Sequence, residues 1–433
     1  MTAAPALGLW EEARQALSGR GRELWALCAL AFLTIGSYEI ARPAVESLFL
    51  ETYSQAGLPW VWLSVAGSAV VVVALFNRLA TRVPIARLLV GTTLSCIGVL
   101  VLLIGCVSWE VPGATFALYI FKDLYVVVIV ETFWSMADLY FPSHTARWAY
   151  GLFCGAGSVG SIVGGVTVGR MAAWTGTLHT LWLVVGMLAL VALGAHLLST
   201  RLDMAKPTQQ ANMGLKDALR VLTGSPYLGV MVALVASTQV AITLIDYEFN
   251  GIVSRTYPNL DERTQVIGII YSIIATAALV LQLGTGPVLK FIGVSRTLLG
   301  LPAVLLTAVA AFLVTPVFGV MAVAKIASKA FDYSLFRASK EMLYIPLSYR
   351  EKTEGKAVVD ILTYRVAKGG VSVLLLGVAA LSLSVATSAM TMVAIALWLG
   401  ITVLLTRRYE RRLQQQVLAT KATPAPSHQS AGQ

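Results

Sequence analysis

Long runs of apolar residues, separated by short polar segments, follow one another along almost the whole chain. Most of these runs contain roughly 19 to 27 residues, and a helix of that length crosses a hydrocarbon layer about 30 Å thick. The pattern therefore predicts an all-α polytopic membrane protein. It predicts twelve transmembrane helices, at about residues 25–43, 59–79, 86–108, 114–140, 147–172, 176–199, 227–250, 265–289, 296–314, 317–346, 357–383 and 385–405.

The composition excludes a soluble globular domain, because 57% of the residues are hydrophobic and only 12% are charged. Lys and Arg indicate the orientation, since they collect in the loops that stay in the cytoplasm. With the N-terminus inside, the outer loops hold little basic charge beyond Arg170, Arg255 and Arg263. We expect both termini in the cytoplasm, a bacterial inner membrane as the location and a monomer. The net charge of +10 is spread over the inner loops, which argues against nucleic acid as a partner.

The two halves of the chain share short motifs in the same order. Tyr38 and Glu39 in span 1 recur as Tyr247 and Glu248 in span 7. Two further matches pair Arg87 with Arg296 and residues 139–142 with 343–346. Such repetition predicts two parallel six-helix halves, the major facilitator arrangement, with the substrate path between them. The predicted organisation is a cytoplasmic N-terminal segment 1–23, helical bundles at 24–199 and 226–406, a cytoplasmic linker 200–225, and a partly disordered cytoplasmic tail 407–433.

Charged residues inside the predicted spans are costly in a bilayer unless they pair or line a water-filled path. In span 10, four charged residues and one aromatic residue recur three or four positions apart and share one helical face: Lys325, Lys329, Asp332, Phe336 and Lys340. Spans 1, 4, 7 and 11 add charged positions, chiefly Arg42, Glu131, Asp138, Asp246, Glu248, Asp360 and Lys368. We interpret the basic stripe as the lining of an anion path. The alternative for each charged residue is an interhelical ion pair that holds one gating state.

No grouping of residues indicates an enzyme, a metal site or a cofactor. The four cysteines lack metal-ligand spacing, and the chain has no GxxxxGKS or GxxxxGKT loop for ATP hydrolysis. The glycines at 155, 157 and 160 match GxGxxG, but they lie in an apolar helix, where close packing through small residues explains them better. We expect no cofactor, and transport that runs on gradients or exchange.

Three longer motifs resemble the bacterial and plastid nucleotide transporter family, whose best-known members are ATP/ADP translocases. The run SLFRASKEMLYIPL at 334–347 is similar to the family pattern SLFDPxKEMAYIPL, and GKAVVD follows it at 355–360. FWSMAD at 133–138 and YEIARPAVESLF at 38–49 are similar to two further family motifs. The resemblance implies a major-facilitator-like fold, nucleotide transport, and substrate contacts at Arg42 and Lys340. The chain departs from the family pattern at Val45, where the family has a basic residue, and at Arg337 and Ala338.

The leading hypothesis is a secondary transporter that moves a small anionic solute by alternating access, with ATP/ADP-type nucleotides as the first candidates. The predicted substrate contacts are Arg42, Lys325, Lys329, Lys340, Tyr38, Trp134 and Tyr333. The predicted proton-coupling or gating residues are Glu131, Asp138, Asp246, Glu248, Asp332, Asp360 and Lys368. One alternative is a proton-coupled carrier or efflux pump for another organic solute. Another is a sensor that keeps the fold but does not transport.

Overall fold

The computed structural model describes residues 20–141, 143–199, 224–347, 351, 356, 359, 363–380 and 386–422. Within these residues the structure is helical, apart from turns and short connections. The first half contains α1 (Gly21–Tyr53), α2 (Leu58–Ala80), α3 (Ile85–Ser108), α4 (Ala114–Tyr140), α5 (Ser143–Thr175) and α6 (Thr180–Ser199). The second half contains α7 (Pro226–Thr256), α8 (Leu260–Phe291), α9 (Val294–Val314), α10, α11 (Thr363–Ala380) and α12 (Ala386–Ala422). Helix α10 consists of Phe318–Phe331, a π-helical segment Asp332–Phe336, and Arg337–Leu343.

Nine helices of the described part of the chain are long and apolar enough to cross a membrane. The helices that fall short are α4 and α10, which carry lysines and carboxylates along their length, and α11, which contributes only the shorter apolar segment Val366–Ala380. The predicted all-helical membrane class is confirmed, and the number of twelve spans stays a prediction. The domain boundaries also stay predictions, because most of 1–23 and of 200–225 lies outside the described residues.

The ends of two helices of the second half follow familiar sequence signals. Pro226 begins α7, at the position where a missing N–H costs nothing. Asn259 caps α8, because its side-chain oxygen accepts hydrogen bonds from the backbone N–H groups of Asp261 and Glu262 at 2.9 and 3.1 Å. These two acidic residues occupy the first turn, where the helix dipole favours negative charge. The signals fix where α8 begins, next to the first half of the molecule.

Small residues allow the two halves to meet closely through α5 and α8. A Cβ atom added to Gly268 of α8 would lie 2.7 Å from the carbonyl oxygen of Gly165 on α5. Beside this contact, Ser272 Oγ donates a hydrogen bond to the Ile162 carbonyl at 3.0 Å. On the other side of α5, a Cβ atom on Gly164 would lie 2.6 Å from the Gly36 carbonyl of α1. The small-residue run of α5 therefore packs against helices of both halves.

We call the end of the bundle where α1 begins the Gly21 face, and the end where α1 finishes the Tyr53 face. Hydrogen bonds join the two halves near the Tyr53 face. Arg263 Nη2 at the start of α8 donates to Glu51 Oε2 at 2.6 Å and to the Ser47 carbonyl at 3.0 Å on α1. Gln55 Nε2 donates to the Tyr247 carbonyl of α7 at 2.9 Å. These hydrogen bonds thus hold the two halves together at the Tyr53 face.

Candidate functional site

A cavity of about 590 Å³ lies between the two halves. Side chains of α1, α2 and α4 line it from the first half, and side chains of α7, α8, α10 and α11 line it from the second. Its charged lining consists of five basic and four acidic residues: Arg42, Lys122, Lys325, Lys329, Lys368, Glu39, Glu46, Asp123 and Asp246. Charges concentrated in this way within apolar helices mark the cavity as the candidate functional site.

Asp246 of α7 binds two lysines of α10 at once. Lys325 Nζ lies 2.6 Å from Asp246 Oδ1, and Lys329 Nζ lies 2.9 Å from Oδ2. The two lysines stand four positions apart, so one helical face presents both to the same carboxylate. Both lysine side chains are buried, and a buried ammonium group is tolerated only beside a compensating charge. Asp246 therefore supplies counter-charge to these lysines from a different helix.

The first half contributes a second charged network. Lys122 Nζ of α4 lies 2.9 Å from Asp123 Oδ1 and 3.6 Å from Glu46 Oε1. Arg42 Nε donates to the same Glu46 oxygen at 3.4 Å, one turn away on α1. Glu39 Oε1 lies 3.9 Å from Arg42 Nη1 on the other side. The basic groups of this wall are therefore held by carboxylates that an incoming anion would have to replace.

Tyr271 of α8 connects the two networks across the cavity. Its hydroxyl donates to Glu46 Oε2 at 2.9 Å. The guanidinium carbon of Arg42 lies 3.9 Å from the centre of its ring, and Lys325 Nζ lies 5.4 Å from the same centre. Cations at such distances from an aromatic face are attracted by its quadrupole, most strongly where water is excluded. Tyr271 thus links charged groups of both halves in this state of the protein.

Lys368 of α11 differs from the other basic groups of the cavity. Among the described residues, no carboxylate oxygen lies within 4.0 Å of its ammonium group. Its Nζ lies 5.6 Å from the ring centre of Trp62 on α2, in the opposite half. Trp62 Nε1 in turn donates to the Tyr119 hydroxyl at 3.0 Å. Lys368 is therefore the cation that can bind an anionic group without first losing an ion pair.

The π-helical segment of α10 changes which residues face the cavity. The wider turn at Asp332–Phe336 breaks the regular spacing on which the predicted stripe depends. Lys325, Lys329 and Tyr333 line the cavity, whereas Phe336 is 4% exposed and packs edge-on against Trp398 of α12. The expectation that Phe336 shares the face of Lys329 is wrong, because a regular helical repeat does not hold across a π-turn.

Half of the residues predicted for the site lie on the cavity wall: Tyr38, Arg42, Asp246, Lys325, Lys329, Tyr333 and Lys368. Trp134 lines a neighbouring cavity of about 310 Å³, which shares Ile35, Glu39 and Tyr333 with the first. This second cavity extends along α1 toward the Gly21 face, since it includes Ala31 and Thr34. The two cavities thus follow one another from the charged cluster toward that face.

The other predicted residues lie elsewhere. Glu131 and Asp138 are exposed on α4, and Asp138 accepts a hydrogen bond from the Tyr150 hydroxyl. Asp332 and Lys340 are half-buried on α10 and are not among the lining residues of the central cavity. Asp360 lies outside the described residues. These positions do not test the predicted roles of the residues in substrate binding, proton coupling or gating, and those roles stay predictions.

Glu248 occupies a separate site near the Tyr53 face. It is 6% exposed and forms part of the wall of a cavity of about 550 Å³. Thr391 Oγ1 donates to its Oε1 at 3.0 Å, while its Oε2 has no hydrogen-bond partner among the described residues. A buried carboxyl oxygen without a hydrogen-bond partner is an unusual and costly arrangement.

Sequence reasoning missed several residues of the cavity wall: Trp62, Tyr119, Lys122, Asp123, Gln239, Asn250 and Tyr271. For Lys122 and Asp123 the signal was present, because two adjacent charges interrupt the apolar run of α4. For the aromatic residues the sequence contains no such signal, since tyrosine and tryptophan occur in many of the helices. Only the packing of the helices reveals which of them face the cavity.

The fold is that of the major-facilitator-like transporters. A mutant of the nucleoside transporter NupG matches this chain with a TM-score of 0.69 at 14% sequence identity, over 90% of this chain and 99% of that one. The POT family transporter PepTSo matches with a TM-score of 0.65 at 12% identity, over 91% and 99% of the two chains. At such low identities the similarity concerns the fold alone.

A sequence model of one family identifies the group of transporters to which the chain belongs. The model of the TLC ATP/ADP transporter family matches residues 84–322 and 304–410, so the chain belongs to that family. ADP,ATP carrier protein 1 of Chlamydia pneumoniae is 24% identical over 304 residues, which cover 59% of this chain and 58% of the relative. ADP,ATP carrier protein 2, chloroplastic, of Arabidopsis thaliana is 28% identical over 291 residues, which cover 58% of this chain and 47% of the relative. The chain spans about half the length of these curated relatives, and the predicted transporter family is confirmed.

Proposed function

We propose that this protein is a secondary transporter that binds a nucleotide or a closely related anionic solute in the central cavity and carries it by alternating access. One observation carries the proposal: basic side chains from both halves converge on a single cavity in a chain of the TLC ATP/ADP transporter family. Groups that contact one ligand from both halves couple its binding to the relative position of those halves.

Phosphate oxygens compete with the carboxylates of the cavity. Lysine binds phosphate as a point charge, and arginine binds it through two parallel hydrogen bonds. We infer that a substrate phosphate first contacts Lys368 and then replaces Asp246 at Lys325 or Lys329. In the absence of substrate the carboxylates compensate the buried lysines, which lowers the cost of the ligand-free cavity.

Aromatic side chains of the cavity offer a wall for a nucleobase. Tyr38, Trp62, Tyr119 and Tyr271 all line it. Flat aromatic rings bind other flat rings in offset-stacked or edge-on arrangements, worth about 0.5 to 1.5 kcal/mol beyond the buried area. The combination of a basic cluster with an aromatic wall suits a solute that has both a phosphate and a planar ring.

The contacts between the halves support one direction of access. The hydrogen bonds of Arg263 and Gln55 hold the Tyr53 face together, and the two neighbouring cavities follow one another toward the Gly21 face. Under the orientation proposed from the basic loops, the Gly21 face is cytoplasmic, and this state opens inward. We further propose a bacterial inner membrane as the location and a monomer as the transporting unit.

Ligand binding to the purified full chain tests the proposal. A ligand that binds only the folded protein raises the melting temperature by mass action. We expect ATP or ADP to raise it, and Lys368→Gln to require about ten- to a hundred-fold more nucleotide, since a charge-assisted contact is lost. Lys290→Gln removes one exposed basic charge outside the cavity and is the matched control. Equal responses of the two variants, or no response of the parent protein to any nucleotide or phosphorylated metabolite, would contradict the proposal.

A second candidate function, proton-coupled transport, rests on Glu248. Its buried carboxyl accepts a hydrogen bond from Thr391, and no cation of the described residues lies within 4.0 Å of it. Carboxyl groups placed in this way within membrane helices are common proton carriers. Uptake into vesicles with and without an imposed pH gradient distinguishes the two functions. Proton coupling is supported if the pH gradient accelerates uptake and Glu248→Gln abolishes that acceleration. Exchange alone is supported if the rate of uptake is the same with and without the gradient.

A further inference from the structure

A largely apolar groove of about 660 Å³ lies between α2, α3 and α4, on the side of the first half away from the charged cluster. Its lining is dominated by aliphatic and aromatic side chains, such as Leu75, Phe76 and Phe121. The polar side chains in its wall are satisfied by their own helix, since Thr92 Oγ1 donates to the Leu88 carbonyl at 2.7 Å and Ser95 Oγ donates to the Gly91 carbonyl at 2.8 Å. The groove is therefore a suitable surface for an apolar ligand, and it has few free hydrogen-bonding groups for a polar one.

One end of the groove is basic. Arg87 belongs to its lining, is exposed, and makes no hydrogen bond or ion pair with any residue that the structure describes. Arg78 and Arg82 lie just before it, at the end of α2 and in the turn to α3, and both are exposed. From Thr52 to Trp109 the sequence contains no aspartate or glutamate. The mouth of the groove at the Gly21 face thus carries positive charge without a neighbouring acid in this stretch of chain.

The length of the groove fits one leaflet of a bilayer. Arg87 and Val99, which both line it, stand twelve positions apart on α3, or about 18 Å along the helix axis. Half of a hydrocarbon layer is about 15 Å thick. With Arg87 at the level of the headgroups, the apolar part reaches to about the middle of the membrane. A single acyl chain of a phospholipid spans this distance, and the basic mouth of the groove suits its phosphate headgroup.

We propose that this groove is a binding site for an anionic phospholipid, with an acyl chain between α2, α3 and α4 and the headgroup phosphate on Arg87. Arg78 and Arg82 add attraction for a negatively charged headgroup over a zwitterionic one. Leu124 of α4 lines both this groove and the central cavity, so a bound lipid packs against the outer side of the substrate cavity wall. The site takes a phospholipid and is separate from the basic residues assigned to the transported anion.

The test measures the melting temperature of the purified full chain in detergent micelles as lipid is added. Dioleoyl phosphatidylglycerol should raise it at lower concentrations than dioleoyl phosphatidylcholine, which has the same chains. Arg87→Gln should raise the half-saturating phosphatidylglycerol concentration about ten-fold, because one charge-assisted contact is lost. Gly91→Leu should weaken the effect of both lipids, because a side chain at Gly91 meets no atom within 4 Å and extends into the groove.

Arg296→Gln is the matched control, because Arg296 is the repeat-related arginine at the start of α9 and is equally exposed. It should leave the response to phosphatidylglycerol unchanged. The proposal is overturned if Arg87→Gln and Arg296→Gln respond alike, if the two lipids stabilise equally, or if Gly91→Leu has no effect. It is also overturned if glycerol 1-phosphate alone reproduces the stabilisation, since a free headgroup would then be the ligand.

Discussion

At the scale of single residues, Asp246 joins α7 to α10 in the wall that the second half of the protein contributes to the cavity. It is the carboxylate that pairs with both Lys325 and Lys329, and it comes from a different helix. The sequence predicted a stripe of basic residues on α10, and Lys325 and Lys329 of that stripe line the cavity, but spacing along one helix does not reveal a partner on another. The ion pairs of this site therefore became visible only with the arrangement of α7 against α10.

Replacing Asp246 tests the structural part of this role. Asp246→Asn removes the carboxylate that lies 2.6 Å from the buried ammonium group of Lys325, and loss of one partner of a buried pair costs about 3 to 5 kcal/mol. We expect a clearly lower melting temperature for the ligand-free protein. Glu341→Gln is the control, because Glu341 pairs with Lys356 at 2.6 Å on the surface, where such pairs contribute at most about 1 kcal/mol. If both variants melt like the parent protein, Asp246 is not needed to compensate the charge of Lys325.

At the scale of helices, the sequence predicts where a helix lies more reliably than which of its faces lines the cavity. The long apolar runs predicted most helices well, because burying an apolar stretch in a bilayer depends on little more than its length and composition. The π-turn of α10 was not predictable, since the run Asp332–Phe336 has no residue that forbids a regular helix. Across that turn Tyr333 still lines the cavity wall, whereas Phe336 packs against Trp398 of α12. Periodicity is therefore a good guide to a helix and a weaker guide to its faces.

The contact between α5 and α8 gives a prediction at this scale. Gly268→Ala places a methyl group 2.7 Å from the Gly165 carbonyl, so the two halves must separate slightly in this state. We expect a destabilisation of about 1 to 3 kcal/mol, as for other overpacked sites. Gly284→Ala on the same helix is the control, because its added methyl group meets no atom within 4 Å. The melting temperatures of the two variants provide the comparison, and equal values would mean that α5 and α8 are not in tight contact.

At the scale of the whole molecule, the state described here is closed at the Tyr53 face. Arg263 is buried and holds Glu51 and the Ser47 carbonyl across the boundary between the halves. Alternating access requires these contacts to break when the other face closes. The sequence indicated the two halves through its repeated motifs, but it contains no information on which face is closed. That property depends on pairs of residues 192 to 216 positions apart in the sequence.

Weakening this closure should open the Tyr53 face. In a background without the native cysteines, we introduce Asn250→Cys in the cavity wall and measure its reaction with a membrane-impermeant thiol reagent from that face. Glu51→Gln should speed the reaction about two- to five-fold, as expected for the loss of a partly exposed ion pair. Glu262→Gln, at an exposed position beside Arg263, is the control. A reaction rate that neither variant changes would show that the Arg263–Glu51 pair does not contribute to closure.

The most direct test of the central claim is nucleotide exchange in vesicles that contain the purified full chain. The vesicles are loaded with unlabelled ADP or left empty, and entry of labelled ATP is measured for the parent protein, Lys368→Gln and Lys290→Gln. We expect uptake that depends on internal ADP. Lys290→Gln should preserve this uptake, and Lys368→Gln should reduce it about ten- to a hundred-fold. Nucleotide uptake that Lys368→Gln leaves unchanged, or the absence of nucleotide uptake by a correctly folded parent protein, would contradict the assignment of the central cavity as a nucleotide site.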